Sequence, residues 1–225
     1  MKTRKAGAMA DYEGFKNEVL SSARWLCDNG FFGAKLGSGG NVSLFMRDEN
    51  LIVITPSRIP YHKMSLHDIC VIDPQLNLIE GHLPPSMESP MHAGVYKSRS
   101  DVNAVVHTHQ MFASVLALIK QPIPALFDEI TYEIGSEVAV IPYALSGSAT
   151  LVENVVSELQ NGCSCYIIQN HGALCLGTDL TEAMHNAELL EKTAQAYFYA
   201  LCSGREIGRL SEDAVQRLLS MRKQS

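Results

Sequence analysis

The sequence predicts an α/β fold, with one mixed, mostly antiparallel sheet covered by helices. Three observations predict it. Short, largely apolar runs come in pairs across polar turns, at 42–46 with 51–54 and at 163–168 with 173–177, as hairpin strands do. Between them lie segments whose apolar residues recur at helical spacing. The chain has 225 residues, 46% of them apolar and 19% charged, with no repeat, low-complexity tract or linker. That suits one large domain with a substantial core.

Each element has its own signal. Phe15, Val19, Leu20, Ala23, Leu26 and Cys27 fall on one helical face over 11–29, and Gly30 supplies the stop. Gly37-Ser38-Gly39-Gly40-Asn41 leads into the first hairpin, whose turn is Arg47-Asp48-Glu49-Asn50. Residues 70–72 and 76–79 flank a turn containing Pro74. Pro84 and Pro85 approach a helix over 88–97, and 101–107 is a strand. Residues 111–120 read as a helix that Pro122 and Pro124 break. A turn near Gly135 precedes a single strand over 138–141. Ser148 caps a helix to about Gln160, and Thr178 or Asp179 caps the longest helix, which runs to about Cys202. A last short helix follows Ser211. Residues 1–10 are read as a flexible arm and 11–225 as the folded domain.

Composition excludes several classes of function. A net charge of −6 argues against general affinity for nucleic acid or anionic membrane. No run approaches the roughly 20 apolar residues of a membrane span, and Asp11 and Glu13 interrupt the basic N-terminus before a signal-peptide core could form. The six cysteines contain no Cys-x-x-Cys pair. They read as free thiols of a reducing compartment, so a cytoplasmic location is expected.

Three stretches are hard to explain by packing alone. His107-Thr108-His109 closes the apolar strand Val105-Val106. Side chains two apart in a strand share a face, roughly 7 Å apart, which lets both imidazoles reach one metal ion. The competing reading is one packed and one solvated histidine. His171 sits in the turn Gln169-Asn170-His171-Gly172, where, taken alone, a buried neutral imidazole bonded to backbone is the favoured reading over a ligand. Glu88, in Pro85-Ser86-Met87-Glu88, reads either as a functional carboxylate or as a first-turn acid favoured by the helix dipole. Together, three histidines and one carboxylate suit a zinc-like ion with an exchangeable position. His62, His67, His82, His92 and His185 read as surface residues or as supports behind the site. The glycine-rich segment 37–41 lacks a following Lys-Ser/Thr and precedes a strand, so it is no phosphate loop of known pattern. Its backbone can still form an anion-binding nest.

With these residues in view, the chain resembles the class II aldolase/adducin-head family. Gly40-Asn41-Val42-Ser43, Thr55-Pro56-Ser57-Arg58-Ile59-Pro60-Tyr61, Pro85-Ser86-Met87-Glu88, His107-Thr108-His109 and Asn170-His171-Gly172 stand in that family's order and spacing. The resemblance runs from about Phe15 to about Leu201. It implies a three-layer α/β/α domain, usually a cyclic homotetramer with sites near subunit contacts. It also implies one divalent metal per subunit, Zn2+ first and Mn2+ or Co2+ next, on His107, His109 and His171. Glu88 is implied as the acid/base and as a fourth ligand until substrate displaces it. Gly40, Asn41, Ser57, Arg58 and Ser86 fall where the family's aldolases line an anion pocket.

The activity implied is lyase chemistry: a small sugar phosphate or related hydroxy-keto compound is cleaved through an enediolate. Departures from the pattern concern the anion. Ser57-Arg58 and Ser86-Met87 stand where those aldolases typically read Thr-Gly and Ser-Ser, and Arg58 offers a bidentate grip on phosphate or carboxylate. Asp128 aligns with a catalytic tyrosine of those aldolases, leaving Tyr132 and Tyr143 as substitutes. A decarboxylase making the same enolate is the main alternative. A sugar-phosphate 4-epimerase is disfavoured because those enzymes carry Asp at the position of Glu88. An adducin-like scaffold is disfavoured because such heads lack the full metal set.

Overall fold

The computed structural model describes residues 12–222, so the arm expected over 1–10 lies outside them. The chain runs α1 (Glu13–Asp28), β1 (Asn41–Met46), β2 (Leu51–Ile54), β3 (Cys70–Ile72) and β4 (Leu78–Glu80). Then come α2 (Ser89–Ser98), β5 (Ala104–Thr108), α3 (Met111–Leu118), β6 (Ile123–Pro124), α4 (Asp128–Glu133) and β7 (Glu137–Val138). Last are β8 (Val140–Ile141), α5 (Ala149–Glu158), β9 (Cys165–Ile168), β10 (Gly172–Gly177), α6 (Leu180–Cys202) and α7 (Glu212–Arg222).

Eight strands form one sheet in the order β4-β3-β2-β1-β5-β10-β9-β8, antiparallel throughout except for the β8/β9 pair. The fold class expected from sequence is the one observed. Strand periodicity divides the core between two faces. Val42, Leu44, Ala104, Val106, Ala173 and Cys175 face α1, α3 and α6. Ile52, Ile54, Val105, Leu174 and Leu176 face α2 and α5. The result is helix, sheet, helix in three layers. At the caps, Asp179 rather than Thr178 opens α6, its carboxylate accepting from the Glu182 N–H at 2.8 Å. Ser148 caps α5, as expected.

Two expectations are corrected. The single strand over 138–141 is two strands: β7 pairs with β6 in a separate two-stranded sheet, and β8 joins the main sheet beside β9. The segment between Pro124 and Gly135, read only as a break and a turn, contains α4. Asp128 and Glu129 occupy its first turn, where the helix dipole favours acids.

The sheet places the chemistry. β5 lies between β1 and β10, with His107 directly opposite Asn41 on one side and Leu174 on the other. Val105 and His107 share the face toward α2, so His107 emerges at the C-terminal end of a central strand, beneath the start of that helix.

Candidate metal centre

Four side chains converge where β5 ends, α2 begins and the β9–β10 turn folds over. The potential ligand nitrogens of His107, His109 and His171 all lie within 4.8 Å of one another. Three nitrogens about 2.1 Å from one tetrahedral ion stand roughly 3.4 Å apart, so the cluster brackets that geometry. Nε2 of His109 lies 3.0 Å from Nε2 of His107. Glu88 spans the opening, with Oε2 3.1 Å from His107 Nε2 and Oε1 3.1 Å from His171 Nε2.

Hydrogen bonding sets which atoms face inward. Nδ1–H of the fully buried His107 donates to the Ala173 carbonyl at 2.8 Å, which leaves the Nε2 lone pair directed at Glu88. A lone pair facing a carboxylate oxygen at 3.1 Å is repulsive unless a proton or a metal ion is shared between them. Oε1 of Glu88 is buried without a hydrogen-bond partner, as is Nδ1 of His171. Burial holds the His107 imidazole below its ordinary range. Burial, aided by His107 and His171, pushes His109 down to about 3. Imidazole nitrogens and one carboxylate are the donor set a borderline divalent ion takes, and the residues fit such an ion.

Glu88 is the fourth member of the cluster. It occupies the N-cap position of α2, yet its side chain makes no capping bond and turns instead to the histidines. Burial pushes its carboxyl up, but His107, His171 and the Asn41 amide outweigh burial and hold it well below the usual carboxylate range. It is an anion at neutral pH.

Each ligand has its own support. His109 lies one residue past the strand, and its N–H donates to the Phe31 carbonyl at 2.7 Å. A Cβ on Gly39 would sit 2.9 Å from His109 Nδ1, and one on Gly172 2.1 Å from the Thr108 oxygen and 2.7 Å from His109 Cδ2. The glycine-rich segment is therefore a cradle that lets backbone close on His109. Gly172→Ala is expected to destabilise the protein by about 1–3 kcal/mol, the cost of an overpacked methyl, and to weaken metal binding. Urea denaturation with and without metal measures both, and an unchanged transition midpoint would contradict the cradle. His171 is carried by a turn in which Asn170 takes φ +54°, a left-handed conformation asparagine tolerates. Its Nε2 also meets Ser146 Oγ at 3.2 Å. Ser146, on the loop before α5, had no signal in the sequence.

The anion residues divide. Ser57 and Ser86 sit on neighbouring segments joined by the Pro56/Pro85 bridge, and Ser57 Oγ donates to the Pro85 carbonyl and accepts the Met87 N–H. Arg58 is exposed at φ +64°. Gly40 takes φ +70°, its carbonyl accepts the Tyr61 hydroxyl, and a Cβ there would lie 2.2 Å from the Phe32 ring. Asn41 is buried, and its amide bonds Glu88 Oε2 at 2.8 Å and His92 Nε2 at 2.5 Å. His92, read as a surface or supporting residue, is fully buried behind the site. Of the substitute tyrosines, Tyr132 lines a cleft with Asp101, Val102 and Thr178 at the opposite end of β5. Tyr143 lies on the Ser146 loop, half exposed.

Comparison with known proteins agrees with this geometry. The model of the Class II Aldolase and Adducin N-terminal domain matches residues 17–198. An L-fuculose phosphate aldolase of Methanococcus maripaludis is 35% identical over 178 residues, which are 79% of this chain and 93% of the relative. A 5-deoxy-D-ribulose 1-phosphate aldolase of Bacillus thuringiensis is 31% identical over 203 residues, 90% of this chain and 92% of the relative. The solved structure of an L-fuculose 1-phosphate aldolase superposes with a TM-score of 0.87 at 30% identity, covering 98% of this chain and all of that one. By fold, by matched length and by the three-histidine cluster, the chain belongs to the class II aldolase and adducin N-terminal domain family.

Proposed function

We propose that the protein is a divalent-metal-dependent aldolase that cleaves a small sugar phosphate or related hydroxy-keto compound. The observation that carries this reading is the convergence of His107, His109 and His171 on Glu88. These four residues would hold the ion, Zn2+ first and Mn2+ or Co2+ next. When bound, it supplies Lewis-acid stabilisation of negative charge developing on substrate oxygens. Glu88 moves the proton. Its Oε2 is tethered by Asn41, whereas Oε1 meets only His171 Nε2, at 3.1 Å, and is the atom that turns to the reacting carbon. In the condensation direction Oε1 accepts the proton from the carbon beside the ketone. In cleavage the carbinol hydroxyl gives its proton to the Glu88 carboxylate, directly or through solvent, as its C–O becomes the aldehyde C=O. The bonding pair stays on the carbon beside the ketone, and Oε1 then delivers the proton to that carbon.

Ser57, Arg58 and Ser86 are the proposed anion contacts, with the backbone around Gly40 completing the pocket. Arg58 also favours a second reading. Its exposed guanidinium could hold a substrate carboxylate, and loss of carbon dioxide would make the same enolate.

We further place the enzyme in the cytoplasm as a homotetramer. Its cysteines are unpaired. Exposed Met87, Tyr143 and Leu145 make an apolar rim beside the site, suited to a subunit contact. No helix among the described residues is long and apolar enough to cross a membrane.

Elemental analysis followed by a screen of ketose phosphates and keto acids tests the proposal. A bound divalent ion with release of dihydroxyacetone phosphate is the expected result, whereas carbon dioxide release would establish the second reading. Protein without metal that stays inert after metal is added would sink both.

A further inference from the structure

Glu88 is backed by a line of buried polar side chains that metal binding leaves unused. Asn41 Nδ2 donates to Glu88 Oε2 at 2.8 Å, and Asn41 Oδ1 lies 2.5 Å from His92 Nε2. His92 Nδ1 lies 2.6 Å from Ser43 Oγ, which in turn lies 2.6 Å from the Tyr96 hydroxyl. Asn41, Ser43 and His92 are each at most 4% exposed, and so is Tyr96. We propose that this is a one-way hydrogen-bond chain that aims Glu88, with Asn41 and His92 as positioning residues for its proton transfer.

The direction follows from one end. An ionised carboxylate only accepts, so the Asn41 atom facing it must be the amide nitrogen. That turns Oδ1 toward His92, whose Nε2 must then carry the hydrogen. Neutral His92 has only a lone pair left at Nδ1, so Ser43 must donate there, and Ser43 must accept from Tyr96. One charge thus fixes a tautomer, two hydroxyl rotors and an amide flip. In reverse, a fixed His92 keeps Asn41 from flipping its oxygen onto Glu88.

The two elements are matched for this. Asn41 and Ser43 are two apart on β1, facing α2, and His92 and Tyr96 are four apart on one face of α2. Two strand residues span about 6.8 Å and four helical residues about 6 Å, so the pairs lie side by side. The line carries orientation and not protons. A carboxamide donates from one atom and accepts at another, so a proton arriving at Asn41 Oδ1 has no exit to Glu88. Buried polar groups need partners in any case. What exceeds mere satisfaction is that the line ends on the one carboxylate of the metal cluster, on the oxygen opposite the reactive Oε1.

The inference rests on Glu88 being the proton carrier, and two measurements separate its failure from that of the proposed reaction. The first needs no substrate. In the metal-loaded protein at neutral pH, two-bond 1H–15N spectra are expected to show His92 as the Nε2–H tautomer. A proton on Nδ1 overturns the chain. The second compares His92→Gln, which restores an N–H near the Nε2 position, with His92→Asn, which cannot. His92→Asn is expected to lower kcat about 10- to 100-fold, as a slightly misplaced catalytic group does, with KM and metal content nearly unchanged, while His92→Gln recovers most of kcat. Equal kcat in both variants overturns the positioning role. Should His92→Asn fail to fold, Ser43→Ala is expected to keep His92 as the Nε2–H tautomer, because Asn41 Oδ1 still faces that atom, with a smaller loss of kcat, and a proton moved to Nδ1 in that variant would count against the chain. A wild type with no aldol turnover but His92 held as Nε2–H overturns the proposed reaction on which the positioning role rests.

Discussion

Replacing Glu88 with Gln is expected to abolish turnover while leaving the metal content near that of the wild type. The amide keeps the shape of the carboxylate and an oxygen for the Asn41 N–H, so the histidines keep their places. What it loses is basicity. Positioned acid–base groups contribute about 10²–10⁴-fold to rate, so the fall in kcat should reach roughly 10³-fold. The wild-type carboxylate is held anionic by His107, His171 and Asn41 despite burial, so the proton-accepting form predominates at neutral pH.

The step can be isolated. Incubated with a ketone fragment such as dihydroxyacetone phosphate in heavy water, the wild type should exchange the hydrogen on the carbon beside the ketone, and Glu88→Gln should not. Glu88→Asp sharpens the test, because removing one methylene withdraws Oε1 from His171, and a displacement of about 1 Å costs on the order of 10²-fold. Exchange at the wild-type rate in Glu88→Gln would remove this residue from the proton transfer.

How much of this was legible before the structure depended on whether a signal was local. His107 and His109 were readable as a pair because strand periodicity is a local property. That periodicity accounts for His107 only, since β5 ends at Thr108 and His109 is held by the Phe31 carbonyl and the surrounding glycines. The same glycines suggested an anion nest because a sequence does not reveal which side chain a bare backbone will meet. Asn41 and Ser43 alternate with Val42 and Leu44, a pattern equally compatible with a strand whose polar face meets solvent. Only the register Asn41 opposite His107 and the docking of α2 show that the polar side faces inward. His92 was ambiguous for the same reason, its partners lying about 50 positions away in sequence. The division of residues 138–141 between two sheets turns on long-range pairing with Ile123 and with Ile167, which no local run of valines encodes.

The second large effect concerns the ligands, and here two measurements should part company. Structural zinc sites with four ligands bind with roughly 10–16 kcal/mol, or about 3 kcal/mol per ligand, so each single His→Ala change should weaken binding by about 10²–10³-fold. A competing chelator titration measures this for His107, His109 and His171 alike. Stability without metal should not follow the same pattern. His107 has a fully buried side chain and donates to Ala173 at 2.8 Å, so His107→Ala leaves a void and an orphaned carbonyl. That should cost about 2–4 kcal/mol even in metal-free protein. His171 has 11% of its side chain exposed on a turn, and its Nδ1 has no partner to lose. His171→Ala loses only the Nε2 contacts to Glu88 and Ser146, so it should cost metal-free stability less than His107→Ala does, about 1–2 kcal/mol, while losing metal as fully. In the wild type, metal adds stability that a chelator removes, because it binds the folded state alone. In His171→Ala the chelator should change nothing at metal concentrations that saturate the wild type. If His171→Ala bound metal as tightly as wild type, the ion would not be held by these three histidines, and the aldolase mechanism would lose its centre.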